Sequence, residues 1–341
     1  MASPTKSITT RTGHMSKADI DRRLEYKAKL RGDSDKMHNF FDLVGYEYKK
    51  ILKRKSVWVM LVLGVLIAVV TCAGVLIGDY YEDGIAFESQ YEGMIKDRTG
   101  ARKLAGRLLD KDLLIEAAEG YNRFLVIMYT TAIIGSFIAA ICVAPIFAGE
   151  YTSGADQLVL ASIHGKKTLI WAKIFTGISL SILFCLSLIV ITYLQCMFPY
   201  GFDGADAVWQ LLMPMSPYPL TIGEVALIFV ICILCANLFC TMITLFLSAK
   251  LKTPFGVTTI IVTIIIAPMF ISIPQSNVML YNLFNLMPSN MMEVWRVTSP
   301  ILYEIFNISV QPYILMLVFA VIATSALVPF TYYGFKKHQI G

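Results

Sequence analysis

Six stretches of the chain, each of roughly 20 residues or more, carry almost no charge: Ser56–Gly78, Phe124–Ala148, Leu169–Phe198, Glu224–Ser248, Pro254–Ile273 and Tyr313–Tyr332. About 20 apolar residues, rising 1.5 Å each as a helix, cross a hydrocarbon layer of about 30 Å. Lipid offers a backbone no hydrogen-bond partners, so such stretches are helices, which satisfy their own N–H and C=O groups. The pattern predicts an all-α integral membrane protein with six transmembrane helices. The third stretch is long enough to cross with tilt, or to begin as an interfacial helix.

Between and before these stretches the periodicity changes. Residues 1–36 are polar, and "SKADIDRRLEYKAKL" opens with a capping-box pattern from Ser16 to Asp19, which predicts a solvated helix. The membrane domain then runs over 37–341. In "HNFFDLVGYEYKKILKRK", Phe40, Leu43, Val44, Tyr48 and Ile51 recur at helical spacing beside Lys49, Lys50, Lys53, Arg54 and Lys55. This predicts an amphipathic helix on the inner leaflet, its basic end against anionic headgroups. The 79–123 loop contains "GARKLAGRLLDKDLLIEAAEGY", read as amphipathic surface helices with Leu104, Leu108 and Leu109 on one face. Residues 274–311 are too apolar for a free loop and too interrupted to cross. Two short re-entrant or interfacial helices, broken at Pro288 and Pro300, are expected there.

Charge sets the orientation. Of the 29 Lys and Arg residues, 14 precede residue 56, which predicts a cytoplasmic N-terminus. Lys166, Lys167 and Lys173, then Lys250 and Lys252, then Lys336 and Lys337 fall on that same side, so both termini are expected in the cytoplasm of a cell-membrane protein. The net charge of +5 is then a topology signal, and no basic patch interleaved with aromatics suggests nucleic acid. Trp58 and Trp171 are expected at the inner interface, Trp209 and Trp295 at the outer one. A long charged segment precedes the first apolar run, so no cleavable signal peptide is expected.

Little in the sequence suggests catalysis. The histidines (14, 38, 164 and 338) lack a metal-ligand spacing, and all seven cysteines fall in apolar stretches, where they read as packing residues. "HGKKT" at 164–168 invites comparison with a phosphate loop, but the first glycine of that loop would stand at 160, which is Leu. No catalytic residue, metal site or cofactor is expected in this chain. Mid-span carboxylates, which ion-coupled transporters commonly bury, are missing from the sequence pattern. Asn237, Thr241, Thr244 and Thr259 are deep polar positions. Interhelical hydrogen bonding and lining of a substrate pathway both remain open for them.

The segment "GEYTSGADQLVLASIHGKKTLIWAK", Gly149–Lys173, stands between the second and third stretches. Ser153 and Asp156 form a capping-box pattern and Gly165 suits a C′ position. A helix of about ten residues, roughly 15 Å long, would place Ala155, Leu158, Val159 and Ser162 on one face. Glu150 would meet its N-terminal dipole, and Lys166, Lys167 and Lys173 would lie at headgroup level. Spacing leaves two readings: an interfacial turn, or a helix that docks on a partner.

With its amphipathic leading helix, six spans and this segment after span two, the chain resembles the permease of a type-2 ATP-binding-cassette (ABC) exporter. In that family the link between spans two and three carries a Glu, a small-residue step, a Leu-rich helix, a Pro or Ser, a basic residue and a later Lys. Glu150, Ser153, Gly154, Leu158, Leu160, Ser162, Lys166 and Lys173 match. The usual Arg after the small residue is replaced by Lys166-Lys167, which keeps charge without bidentate geometry. The likeness runs from about Met37 to the C-terminus and includes "NLMPSN". It implies that residues 150–167 form a coupling helix docking on a separate ATPase subunit, which binds ATP and Mg. It also implies a second permease subunit, as homo- or heterodimer. From another class, a non-transporting scaffold or regulatory protein, or an ion channel, would share the span pattern.

Overall fold

The computed structural model describes residues 40–82, 118–153, 166–213, 216–274, 278–301, 303–305 and 308–338. The 1–36 segment, the leucines of the 79–123 loop and most of the predicted 150–167 helix lie outside these.

The described chain is almost entirely helical. Helix α1 covers residues 40–52 and α2 is Lys55–Glu82. Next come α3 (Glu119–Val143), the short α4 (Ala148–Ser153) and the 35-residue α5 (Lys166–Tyr200). Helices α6 (Ile222–Lys250) and α7 (Pro254–Ile266) follow, α7 continuing as a 3-10 turn over Ala267–Phe270. A return segment holds α8 (Val278–Asn285), a 3-10 turn at Asn290–Met292 and α9 (Val294–Val297). A hairpin of β1 (Tyr303–Ile305) and β2 (Ile308–Val310) leads into α10 (Pro312–His338).

Helices α2, α3, α5, α6 and α10 are long and apolar enough to cross a membrane. The fifth predicted stretch is shorter: Pro254–Phe270 is an apolar helix below that length. At 1.5 Å per α-helical residue and about 2 Å per 3-10 residue it spans roughly 27 Å, just under a typical hydrocarbon layer. Its early end has a local cause, since Pro268 supplies no N–H to continue the ladder.

Sequence signals explain the main boundaries. The indole of Trp58 donates to Leu52 O at 2.7 Å, satisfying a carbonyl at the end of α1. Pro145 stops α3. Thr221 and Glu224 form a reciprocal capping box at the start of α6, with Glu224 N donating to Thr221 Oγ1 and Thr221 N to Glu224 Oε2.

Helix α6 is the hub: α3, α5, α7 and α10 all pack on it, while α2 packs on α3 and α5. One apolar core, around Phe124, Met128, Phe229 and Ile233, fills the end of the bundle nearer the return segment. A second, around Val143, Phe147, Ile174 and Phe335, fills the lysine-rich end. Between them lies a small polar knot. Asn237 Nδ2 donates to Ser181 Oγ at 2.8 Å, Ser181 Oγ and Thr241 Oγ1 are 2.6 Å apart, and Thr241 donates to Asn237 O at 2.8 Å. Ser136 completes it by donating to Asn237 Oδ1 at 3.3 Å. The knot joins α3, α5 and α6, where lipid-soluble surfaces alone give helices little reason to associate.

Two expectations change. The half of the return segment after Pro300 is a β-hairpin rather than a second short helix, paired Tyr303↔Val310 and Ile305↔Ile308. Alternation of apolar residues at 303, 305, 308 and 310 has the period of a strand, and that local pattern overrides helix-length reasoning. Trp209, expected in an interfacial belt, is fully buried, its ring 6.3 Å from that of Trp295. The return segment covers it, with Met291, Met292 and Val297 entering the same core.

Replacing Asn237 with Ala should cost about 1 kcal/mol of helix association, the scale of interhelical hydrogen bonds in membranes. Thermal unfolding of the purified protein in detergent should show a small fall in midpoint with unchanged membrane insertion.

Candidate functional site

At the lysine-rich end, three elements converge on one ammonium. Lys173, in the first turns of α5, is fully buried. Its Nζ donates to Glu150 Oε1 at 2.6 Å, Glu47 Oε1 at 2.8 Å and Ile146 O at 3.3 Å. An ammonium has three donors, and here each finds an acceptor. Lys50 adds a second cation on Glu150 Oε1 at 3.0 Å. Among the described residues, two carboxylates therefore face two ammonium groups, which offsets the charge that burial penalises.

The acceptors come from different pieces of chain. Glu47 and Lys50 lie on α1, whose buried face includes Val44, Glu47 and Ile51. Tyr48 on α1 donates to Ser179 Oγ on α5 at 2.6 Å, and Phe40 meets Phe175 edge-on at 5.9 Å. The apolar stripe of α1 is thus spent on α5, and the opposite face, with Phe41, Tyr46 and Lys49, is the exposed one. Glu150 belongs to α4. It sits in the first turn of that helix, which begins at Ala148, and the predicted helix that it would precede lies outside the described residues.

The break between α3 and α4 is held from α6. Ser248 Oγ donates to Ala144 O at 2.6 Å and accepts from Phe147 N at 3.2 Å and Ala148 N at 3.0 Å. Pro145 has opened the helix ladder there, and one hydroxyl serves three of the backbone groups around the gap. Tyr151 OH donates to Ala249 O at 3.0 Å, fixing α4 to the same helix end. A β-carbon built on Gly149 would stand 3.2 Å from Arg54 Nη2, so this glycine admits the guanidinium alongside α4.

These contacts bear on each residue singled out in the sequence. Glu150 and Lys173 are brought together, 23 positions apart in the chain. Lys173 is inside the protein instead of at headgroup level, since buried carboxylates provide what water or phosphate would have. Ser153 is the last residue of α4 and Lys166 the first of α5. Gly154, Leu158 and Ser162 lie outside the described residues. Asn237 and Thr241 are in the buried knot, and Thr244 is buried with its hydroxyl on Cys240 O at 2.8 Å. Thr259, by contrast, is exposed on α7, and its hydroxyl donates to Phe255 O of its own helix at 3.0 Å.

Glu47, Lys50 and Ser248 were missed in the sequence. A signal for Glu47 existed: it interrupts the apolar stripe of α1, between Val44 and Ile51. Likewise Lys173 lies between Ile170 and Ile174, both buried. An ionisable group on a buried stripe implies a partner. For Ser248 no sequence signal distinguishes it from any serine near a helix end.

Among known families, the model for "ABC-2 family transporter protein" matches residues 42–339, from α1 through α10. The chain belongs to the ABC-2 transporter family. No curated protein matches it. The ABC-2 chain is accordingly a transmembrane permease component of an ABC transporter, and the family's membrane component is not the ATPase. In this ABC-2 permease the lysine junction closes the base of the link between its second and third apolar helices.

Lys173→Met should destabilise the ABC-2 permease by about 3–5 kcal/mol, because it leaves buried Glu47 without its lysine and Glu150 with Lys50 but no Lys173. Adding Glu47→Gln removes one stranded charge and should recover part of that loss. Thermal unfolding of the wild type, the single and the double variant measures both steps.

Proposed function

We propose that the permease works in an exporter with a separate ATPase subunit, and that residues 150–167 are the coupling helix. One observation carries the reading: Glu150 and Lys173, on the two stems of this segment, are joined to each other and to α1 inside the protein. A push on the segment would reach α1, α4 and α5 together. Ser153, Gly154, Leu158, Ser162 and Lys166 would form or flank the docking surface, with Glu150 and Lys173 as its inner anchor. ATP and Mg would be bound by the ATPase, and no cofactor by this chain. The lysine-rich end is then cytoplasmic, both termini included, in the cell membrane, with six spans counting α7 as the fifth.

The pathway would run between two permease copies. Asn237, Thr241 and Thr244 are engaged inside one copy, whereas α7 presents exposed Thr259 beside exposed Ile260. A short helix with hydroxyls on its outer face suits a wall that meets a second subunit and water in turn. The return segment 274–311 and the 79–123 loop would shape the outer exit.

Two measurements test this. Single cysteines replacing Lys29, Lys166 and Lys337 on a cysteine-free background should resist an impermeant thiol reagent in intact cells, while those at Arg98 and Asp203 should react. Labelling at Lys166 from outside overturns the orientation. Leu158→Asp should abolish recovery of the ATPase in pull-downs at matched membrane levels, and export with it. A carboxylate forced into an apolar contact costs several kcal/mol, and about 1.4 kcal/mol is tenfold in affinity. Equal recovery with wild type would show that the segment is only an interfacial turn.

A further inference from the structure

At the end of the bundle away from the lysine junction, a cleft of about 670 Å³ opens between the end of α7 and the return segment. This volume is that of a small-molecule site. Phe270, Tyr281, Trp295, Ile271 and Ile273 border it, while most of the surface turned to the cleft is polar. Glu293 and Arg296, three residues apart, form its charged edge.

That edge is only partly used by the protein. Arg296 Nε donates to Glu293 Oε2, and Nη1 donates to Asn285 Oδ1 at 2.9 Å. A guanidinium has five N–H donors, so three remain for a ligand. Both side chains are about a quarter exposed, at 27% and 28%. The edge therefore offers a planar cation suited to phosphate beside an anion suited to ammonium.

The surroundings of the cleft are apolar and open. Phe270 is 84% exposed, and Met279 and Leu283 on neighbouring α8 are exposed too. In water such a patch would be a liability, whereas in a membrane protein it is a place for hydrocarbon. We propose that this cleft binds the head group of a zwitterionic amphiphile, phosphate on Arg296 and ammonium on Glu293, with its chains on the apolar rim. The same chemistry fits a resident phospholipid or an exported amphiphile. The binding assignment rests on the membrane reading of the chain and is tested without the ATPase; only the distinction between a resident and an exported ligand rests on the coupling proposed above.

The test uses the whole permease in neutral detergent, with Trp58→Phe and Trp171→Phe so that emission comes from Trp295 and buried Trp209. Dihexanoyl phosphatidylethanolamine should give a saturable emission change, and uncharged dihexanoylglycerol one at least about tenfold weaker. Arg296→Gln should weaken phosphatidylethanolamine and phosphatidylglycerol alike, by about tenfold, and Glu293→Gln only the former. Ser272→Phe fills the cleft from an exposed position and should abolish the response without disturbing the fold. Equal binding of dihexanoylglycerol, or an unchanged response in Ser272→Phe, overturns the site. Native mass spectrometry of the protein taken from resting and ATP-hydrolysing complexes separates the sources. A resident phospholipid is retained in both, and an exported amphiphile is depleted by turnover. Wild type that retains no more amphiphile than Ser272→Phe in either state overturns the proposal.

Discussion

A buried ammonium cannot stand alone in a protein, and the lysine-rich end of this permease is arranged around that constraint. Lys173 needs anions within hydrogen-bond reach, and no single element supplies them. Glu47 must come from α1 and Glu150 from α4, with Ile146 O from the turn between α3 and α4. Bringing those groups to one point fixes α1 against α5 and sets where α4 leaves the bundle. Val44, Tyr48 and Ile51 pack α1 on the bundle, and the charge set adds a polar constraint on where along α5 it sits. Replacing such a set with hydrocarbon can be neutral for stability, but losing one member is not. The junction therefore acts as a constraint on geometry more than as a source of net stability.

The hinge next to it obeys the same logic with neutral groups. Pro145 opens the backbone ladder, and an opened ladder in a low-dielectric setting must be closed by something. Ser248 on α6 does so, donating once and accepting twice. Since α6 is also the helix on which α3, α5, α7 and α10 pack, the hinge is referred to the centre of the bundle. The Ser248 bonds and the Lys173 pairs together tie the start of α4 to the bundle. Rigid stems are what a mechanical link requires, and the proposed role of residues 150–167 depends on that rigidity.

Much of this was legible in the sequence, for physical reasons. Long uncharged runs identify spans because lipid tolerates little else, and five of the six predicted runs became helices of crossing length. Prolines and capping residues then set ends to within a few positions. What stayed hidden were pairings between distant residues. Nothing in the pattern around Glu47 names Lys173 as its partner, 126 positions away. Lysines near a span end ordinarily reach headgroups, which is the level the sequence predicts for Lys173, while its position between buried Ile170 and Ile174 argues otherwise. The β-hairpin was hidden by the reverse error, a preference for helices in an apolar segment whose period was two.

The polar content of the bundle interior bears on where material could pass. Asn237, Ser181, Thr241 and Ser136 are hydrogen-bonded to one another, and apolar cores lie on both sides of them. Opening a route there would strip hydrogen bonds from four buried groups at once, at a cost of order 1–3 kcal/mol for each group left unsatisfied. The exposed face of α7 carries no such penalty, because Thr259 and Thr263 already satisfy their hydroxyls within the helix. Their remaining lone pairs can meet water or a passing polar group without prior loss. A pathway along that face needs only a second wall, and a second permease copy would provide it. On this argument the interior knot holds α3, α5 and α6 together, and under the proposed function movement would occur between permease copies, where a pull on α4 and α5 through the lysine junction would be felt as a change in tilt.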